Sequence, residues 1–208
     1  MARVYAIDNV IPVVDPSSFV HPDAILIGDV WIGPDCYIGP AACLRGDFGP
    51  IRIGRGCNIQ DHCVLHTFPG RTLTVEDGGH VGHGAILHGC HIGANALVGM
   101  NAVVMDDVVV GANAFVGAMA FVKTGLEIPP ATLVAGMPAR IVRPLTQDEV
   151  DWKTRGTGEY VELARRSLRS LRPVSPLSQP EANRPQLPTQ PAVPLSQYRQ
   201  SDPGDDEA

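Results

Sequence analysis

Aliphatic side chains recur at every sixth residue along most of this chain, and that periodicity constrains the fold more than any other feature. Val14, Val20, Leu26, Ile32, Ile38 and Leu44 keep the step without a break, and after a three-residue insertion Ile53, Ile59 and Leu65 resume it. A longer insertion precedes Val81 and Leu87, and a five-residue step leads to Ile92. Val98, Val104, Val110, Val116, Val122, Ile128 and Val134 complete the series. A second phase runs beside the first. The residue two before each aliphatic is usually small, as at Ala24, Cys36, Ala42, Cys57, Cys63, Ala85, Cys90, Ala96, Ala102, Ala114 and Ala120. Gly often follows the aliphatic, as at Gly33, Gly39, Gly54, Gly93, Gly99, Gly111 and Gly117. Glycine in such a slot serves an unusual backbone angle or a close approach.

A period of six matches neither the 3.6-residue helix nor two-residue alternation. It matches a short flat strand followed by a turn. Three such sides close one coil of a triangular prism, with the aliphatics along the axis and the small residues easing the corners. A set of ordinary hairpins would not hold one phase over so many repeats. Coils stack by parallel pairing at about 4.8 Å, and each needs neighbours to bury its faces. The expected fold is all-β, a left-handed parallel β-helix over 1–143. An aromatic content of only 5% suits so narrow an axis.

The same phase accounts for four cysteines. Cys36, Cys57, Cys63 and Cys90 sit in the small-residue slot and are read as corner packing, while Cys43 lies outside it. Five cysteines without a Cys-x-x-Cys pair, no secretory pattern and no apolar run of membrane-spanning length imply a soluble protein of the reducing cytoplasm. A net charge of −6 argues against nucleic acid as a partner.

Residues 144–172 read as C-terminal helices packing on the prism. Thr146 with Glu149 forms a capping-box pattern. The first helix is expected to run to Arg155 and stop at Gly156. The second carries Tyr160, Leu163, Ala164, Ser167, Leu168 and Leu171 on one face. Arg165, Arg166, Arg169 and Arg172 complement its dipole, with phosphate contact as the alternative. The Pro-rich segment 173–208 is expected to be disordered.

Seven histidines are present. His66 follows the axial Leu65, and His88 follows the axial Leu87. If the stretch from Leu65 to Val81 holds two sides plus a bulge, these histidines share a face, one coil above the other, and converge on one ion. His83 has a different phase, two residues after Val81, and sits on the preceding side. In a threefold trimer an edge of one prism meets a face of the next, so a neighbour's His83 supplies a third ligand. Three imidazoles plus water is a catalytic zinc arrangement. His21, His62, His80 and His91 are expected to be polar surface or turn residues.

Arg45-Gly46-Asp47, Asn58-Ile59-Gln60-Asp61, Leu65-His66 and Gly82-His83-Gly84-Ala85-Ile86-Leu87-His88-Gly89-Cys90 resemble the γ-class carbonic anhydrase family over about residues 8–172. The resemblance implies a homotrimer with metals at its interfaces, each held by His66 and His88 of one chain and His83 of the next. It implies zinc, with cobalt or iron able to serve. It also implies that Arg45 and Asp47 pair across the interface, and that Gln60 and Asp61 line the site near the activated water. Arg45 to Gly49, Gly78 to His83, Ala96 to Asp106, Trp152-Lys153 and Glu159-Tyr160 are similar to a branch of the family. That branch implies a thioesterase clearing aromatic acyl-CoA intermediates of phenylacetate degradation, with Tyr160 lining the pocket.

Two departures bear on the activity. Phe48 stands where well-studied carbonic anhydrase members carry Glu, and the loop Thr67-Phe68-Pro69-Gly70-Arg71-Thr72 holds no carboxylate for a proton shuttle. Phe48 and Phe68 instead make the mouth of the site apolar, which suits an aromatic acyl group. Thioester hydrolysis is therefore the leading expectation, and reversible CO2 hydration is the alternative. Acyl transfer is a third, suggested by Val134-Ala135-Gly136-Met137-Pro138-Ala139-Arg140. A structural, non-enzymatic trimer is the fourth.

Overall fold

Strands of two or three residues cannot hold a sheet by themselves. They persist here because each is hydrogen-bonded to a coil above and a coil below. The computed structural model describes residues 2–187 together with 194, 195 and 197. On one face, Leu26, Leu44, Leu65, Leu87, Val104 and Val122 stack in register, all pairings parallel. Val14, Ile32, Ile53, Val75, Ile92, Val110 and Ile128 stack on a second face. Val20, Ile38, Ile59, Val81, Val98, Val116 and Val134 stack on the third. The result is a left-handed parallel β-helix of about seven turns. Its axis is the aliphatic series, buried except at the first coil, where Val14 and Val20 are only partly covered. Cys36, Cys57, Cys63 and Cys90 are buried in the same core, and all five cysteines are free.

Both insertions fall at one corner, on successive coils. The first lies inside the continuous strand Cys43–Ile53. The second is the loop between the strands Val64–His66 and Leu73–Val75. The six-residue step hides Val75, which nevertheless takes the axial place between Ile53 and Ile92. This corner carries Asp47, Phe48 and Phe68 outward, while the first face carries His66 and His88.

The glycines that follow the aliphatics serve close approach, not backbone angle. A Cβ on Gly39 would lie 2.8 Å from the backbone nitrogen of Asp61, in the next coil. The left-handed angle falls instead on the residue just before the small slot: Asp35, His62, Asn95, Asn101, Asp107 and Asn113, and also Gly56, Gly78, Gly84 and Gly89. Asn, Asp and Gly tolerate that angle best. The prism begins with Arg3–Tyr5 pairing on Ile25, Leu26 and Ile27. It ends in an antiparallel hairpin, Thr132–Gly136 against Ala139–Pro144, which covers the last open edge.

One helix follows, Gln147–Ser170, where the sequence suggested two. Its start is as the capping box implies: the Glu149 amide donates to Thr146 Oγ1 at 3.3 Å, and Glu149 Oε2 accepts from the Thr146 amide at 2.9 Å. Arg143 holds the same carboxylate through two bonds of 2.8 Å. The helix continues through Gly156 because the prism fixes it on both sides of that residue. Buried Lys153 donates from Nζ to the Gly78 carbonyl at 2.6 Å and to Asn95 Oδ1 at 2.8 Å. Tyr160 packs on Tyr37 with ring centroids 5.5 Å apart. Such anchoring outweighs the roughly 1 kcal/mol that a helical glycine costs relative to alanine. Arg165 pairs with Asp35 at 3.1 Å and with Glu162 at 2.6 Å.

A Cβ on Gly156 or Gly158 would meet nothing within 4 Å. Gly158→Ala is therefore expected to stabilise the fold by about 0.5–1 kcal/mol, a rise of a few degrees in Tm. Differential scanning calorimetry checks this, and a fall in Tm would show that the glycine is needed. Among the described residues no helix is long and apolar enough to cross a membrane. Residues 171–187 contain neither helix nor strand. Half of the segment 173–208, for which disorder was expected, lies outside the described residues.

Candidate functional site

The register that stacks Leu65 under Leu87 also stacks His66 under His88. His66 Nδ1 and His88 Nε2 lie 3.1 Å apart, on partly buried rings. Behind them stand two carboxylates. His88 Nδ1 is 2.7 Å from Asp106 Oδ1, and His66 Nε2 is 3.1 Å from Asp47 Oδ1. When each ring donates a proton backward to its carboxylate, both inward nitrogens present lone pairs to each other. Two lone pairs at that distance call for a cation between them; with the proton on His66 Nδ1 and Arg45 donating to its Nε2, the same pair is an N–H···N hydrogen bond. Zinc bonds of about 2.0–2.1 Å at tetrahedral angles place ligand nitrogens about 3.4 Å apart, so the pair fits a metal ion. Burial, then the charge of Arg45, lowers the His66 pKa and keeps that ring neutral, as a ligand must be.

Arg45 Nη2 lies 3.1 Å from His66 Nε2 and its Nη1 3.8 Å from Asp47, so these two residues meet within one chain. Arg45 follows Leu44 on the first face, whereas Asp61 lies just beyond Ile59 on the third, so Arg45 stands with His66 and Asp47. Asp106 was missed by the sequence reading. It lies 18 residues beyond His88, one more than the coil that stacks Leu87 under Val104, and that near-coil spacing was the available signal. Gly89, just after His88, makes the bond possible: it has φ +53°, and a Cβ there would collide with Asp106 Oδ1.

His83 belongs to a second cluster. Its Nδ1 is 3.2 Å from Asp61 Oδ2, and its backbone N–H donates to Gln60 Oε1 at 3.2 Å. Gln60 is buried, and its amide nitrogen is 2.9 Å from Asn58 Oδ1 and 2.7 Å from His80 Nε2. Both amide hydrogens of Gln60 are thereby committed. Tyr160 closes the cluster, its ring edge-on to His80 at 5.4 Å. Burial and the charge of Asp61 push the phenol up to about 12, so Tyr160 stays protonated. His80 is thus no plain surface or turn residue, contrary to the sequence reading. Only the burial of the Gln60 amide beside it explains its position, and periodicity does not report that. Among the described residues of one chain, no three His, Cys, Asp or Glu side chains gather around a common point suited to a metal.

The mouth of the first cluster is aromatic. The Phe48 ring lies 5.2 Å from His66, and the Phe68 ring meets His88 edge-on at 4.9 Å. Both phenylalanines are more than half exposed, at 57% and 54%, so neither is held there by core packing. Beyond the loop, Arg71 pairs with Asp107 at 3.0 Å and His91 with Glu76 at 2.9 Å.

A coiled prism of six-residue repeats with this histidine ladder defines a class, and the chain belongs to it: the hexapeptide-repeat family of left-handed β-helix proteins. Residues 89–124 match the model described as bacterial transferase hexapeptide (six repeats). Within the class the chain is 50% identical over 183 residues to carnitine operon protein CaiE of Citrobacter koseri, covering 88% of this chain and 93% of that protein. CaiE of Salmonella newport is 49% identical over the same length, covering 92% of that protein. Among solved structures, a hexapeptide transferase family protein from Anaplasma phagocytophilum superposes with a TM-score of 0.76 at 35% identity, over 78% of this chain and 96% of that one. An acetyltransferase candidate from Bacillus cereus gives 0.78 at 38%, over 79% and 96%.

Proposed function

We propose that this chain is the subunit of a homotrimeric, metal-dependent hydrolase of acyl-CoA thioesters, with aromatic acyl groups preferred. His66 and His88 of one subunit and His83 of the next hold the metal, zinc or else cobalt or iron. The observation that carries this reading is the His66–His88 pair, with ring nitrogens 3.1 Å apart and Asp47 and Asp106 at the far nitrogens. When bound, the metal supplies a Lewis acid that polarises a carbonyl and activates water near neutral pH. The chain's own groups do the rest. Arg45 and Asp47 hold His66 from behind. Asp61, beside His83, accepts a proton from the attacking water and orients it. The two exposed phenylalanines, Phe48 and Phe68, form an apolar wall for the acyl group, and Tyr160 of the subunit that supplies His83 lines the pocket on the other side.

The missing relay favours a thioester over CO2. Fast CO2 hydration must export a proton every turnover. The loop from Thr67 to Thr72 has no carboxylate, and two beyond it, Glu76 and Asp107, are already paired with His91 and Arg71. A departing thiolate takes up a proton itself. Acyl transfer is a second reading, favoured by the names of the solved relatives. The stretches from Arg45 to Gly49, Gly78 to His83 and Ala96 to Asp106 also resemble the phenylacetic acid degradation protein PaaY, and CaiE proteins are among the relatives. The name of the latter recommends a carnitine thioester as one substrate, since phenyl rings also hold quaternary ammonium groups.

Metal-loaded protein assayed in parallel settles the order. Aromatic, aliphatic and carnitine acyl-CoAs should release free CoA without an added acceptor, faster for the aromatic group, and CO2 hydration should stay slow. Efficient CO2 hydration with no CoA release would reverse the order. Release only in the presence of an amine or alcohol acceptor would establish the transferase.

A further inference from the structure

Gln60 sits in a network with a single consistent assignment. Its Oε1 must accept from the His83 backbone N–H, since the opposite amide orientation would set donor against donor. Its Nε2 then donates one hydrogen to Asn58 Oδ1 and the other to His80 Nε2, at 2.9 and 2.7 Å. His80 Nε2 must therefore be unprotonated, which leaves the ring proton on Nδ1. That Nδ1 is buried without a partner, and so is Asn58 Nδ2. Two orphaned buried groups in one cluster are a cost that an apolar core would avoid, and they call for a reason beyond packing. The helix holds the ring in place: Tyr160 covers it edge-on, and Lys153 stands nearby. Burial first, then the charge of Lys153, pushes the His80 pKa down to about 3, so the ring remains an acceptor at any physiological pH.

Resting on the metal-hydrolase reading, we propose that His80 is a positioning residue for the third metal ligand. Its bare Nε2 fixes the Gln60 amide, and the Gln60 carbonyl fixes the backbone of His83. The effect reaches the metal through His83, which presents its ring at the edge of the prism. Gly84 allows the turn that follows: it has φ +70°, and a Cβ there would collide with Asn101 Oδ1. The C-terminal helix thereby supports the third ligand through the Tyr160 ring that covers His80.

The test uses full-length protein loaded with cobalt(II), whose visible spectrum reports ligand geometry. His80→Phe keeps a flat ring and removes the acceptor; His80→Gln restores an acceptor oxygen. His80→Phe should weaken metal binding by about 10- to 100-fold in chelator competition and alter the cobalt bands. His80→Gln should recover both, with Tm of the two variants similar. Ring-nitrogen NMR of the metal-free wild type should show His80 neutral and protonated on Nδ1. A His80 protonated on Nε2, or a His80→Phe variant with wild-type affinity and spectrum, would overturn the inference alone. A wild type that takes up no cobalt would overturn the metal reading itself, and the inference with it.

Discussion

Protein carrying His88→Ala or His66→Ala will bind little metal, while His21→Ala and His91→Ala will retain about one ion per chain. Each of the first two substitutions removes one imidazole from the facing pair and leaves the other nitrogen without its neighbour. The last two remove side chains that lie against Asp23 and Glu76 instead. Turnover of the best thioester should fall by about a thousandfold or more, since several kcal/mol of Lewis-acid stabilisation go with the ion. Asp106→Asn should sit between these extremes. It keeps the size of the carboxyl group but weakens the bond that fixes the His88 tautomer, and such partners typically contribute about 10- to 100-fold in affinity. Metal content by mass spectrometry and thioester turnover, measured on the same preparations, decide this. Full occupancy in His88→Ala would mean that the facing pair is packing and not a ligand set.

The prism was legible because its determinant is a one-dimensional rule. Every axial position looks into the same narrow space, so one aliphatic per side repeats until the chain is interrupted. Legibility failed where the chain left that rule. Val75 is axial, but the loop before it absorbs the count, so only its pairing with Ile53 and Ile92 reveals it. The helix was divided at Gly156 because local propensity was read without the anchors on either side, Lys153 into Asn95 and Tyr160 onto Tyr37. Tertiary contacts commonly override propensity in this way.

The site divides along the same line. His66 and His88 were placed because they follow axial residues, and the ladder carries them automatically into contact. Asp106 and His80 were not, since each acts by a side-chain bond to a neighbouring coil. For Asp106 a spacing one residue beyond a coil was present in the sequence but unused. For His80 nothing in the repeat separates a ring that bonds a buried amide from one that faces water. Phase gives the face of the prism; it does not give the partner.

Mixing two inactive variants should restore activity. If each site draws His66 and His88 from one subunit and His83 from the next, His66→Ala and His83→Ala damage opposite sides of an interface. In a mixed trimer, a site is whole when a His83→Ala chain supplies the facing pair and a His66→Ala chain supplies the third ligand. Random assembly from equal amounts makes about one interface in four of this kind, and each mixed closed ring carries one whole site in three, so about a quarter of wild-type metal and turnover should return in the unselected pool and about a third in isolated mixed trimers. Each variant alone should remain trimeric, because His83 is half-exposed at the prism edge and bonds Asp61 in its own chain, away from the aliphatic axis. Co-expression with two affinity tags isolates the mixed species, and light scattering fixes the mass against 22.1 kDa per chain. Two outcomes would refute the shared site: a metal-loaded monomer, or mixed trimers as empty as their parents. The second would mean that all three histidines serve within one chain, which the separation of His83 from the facing pair by a full side of the prism argues against.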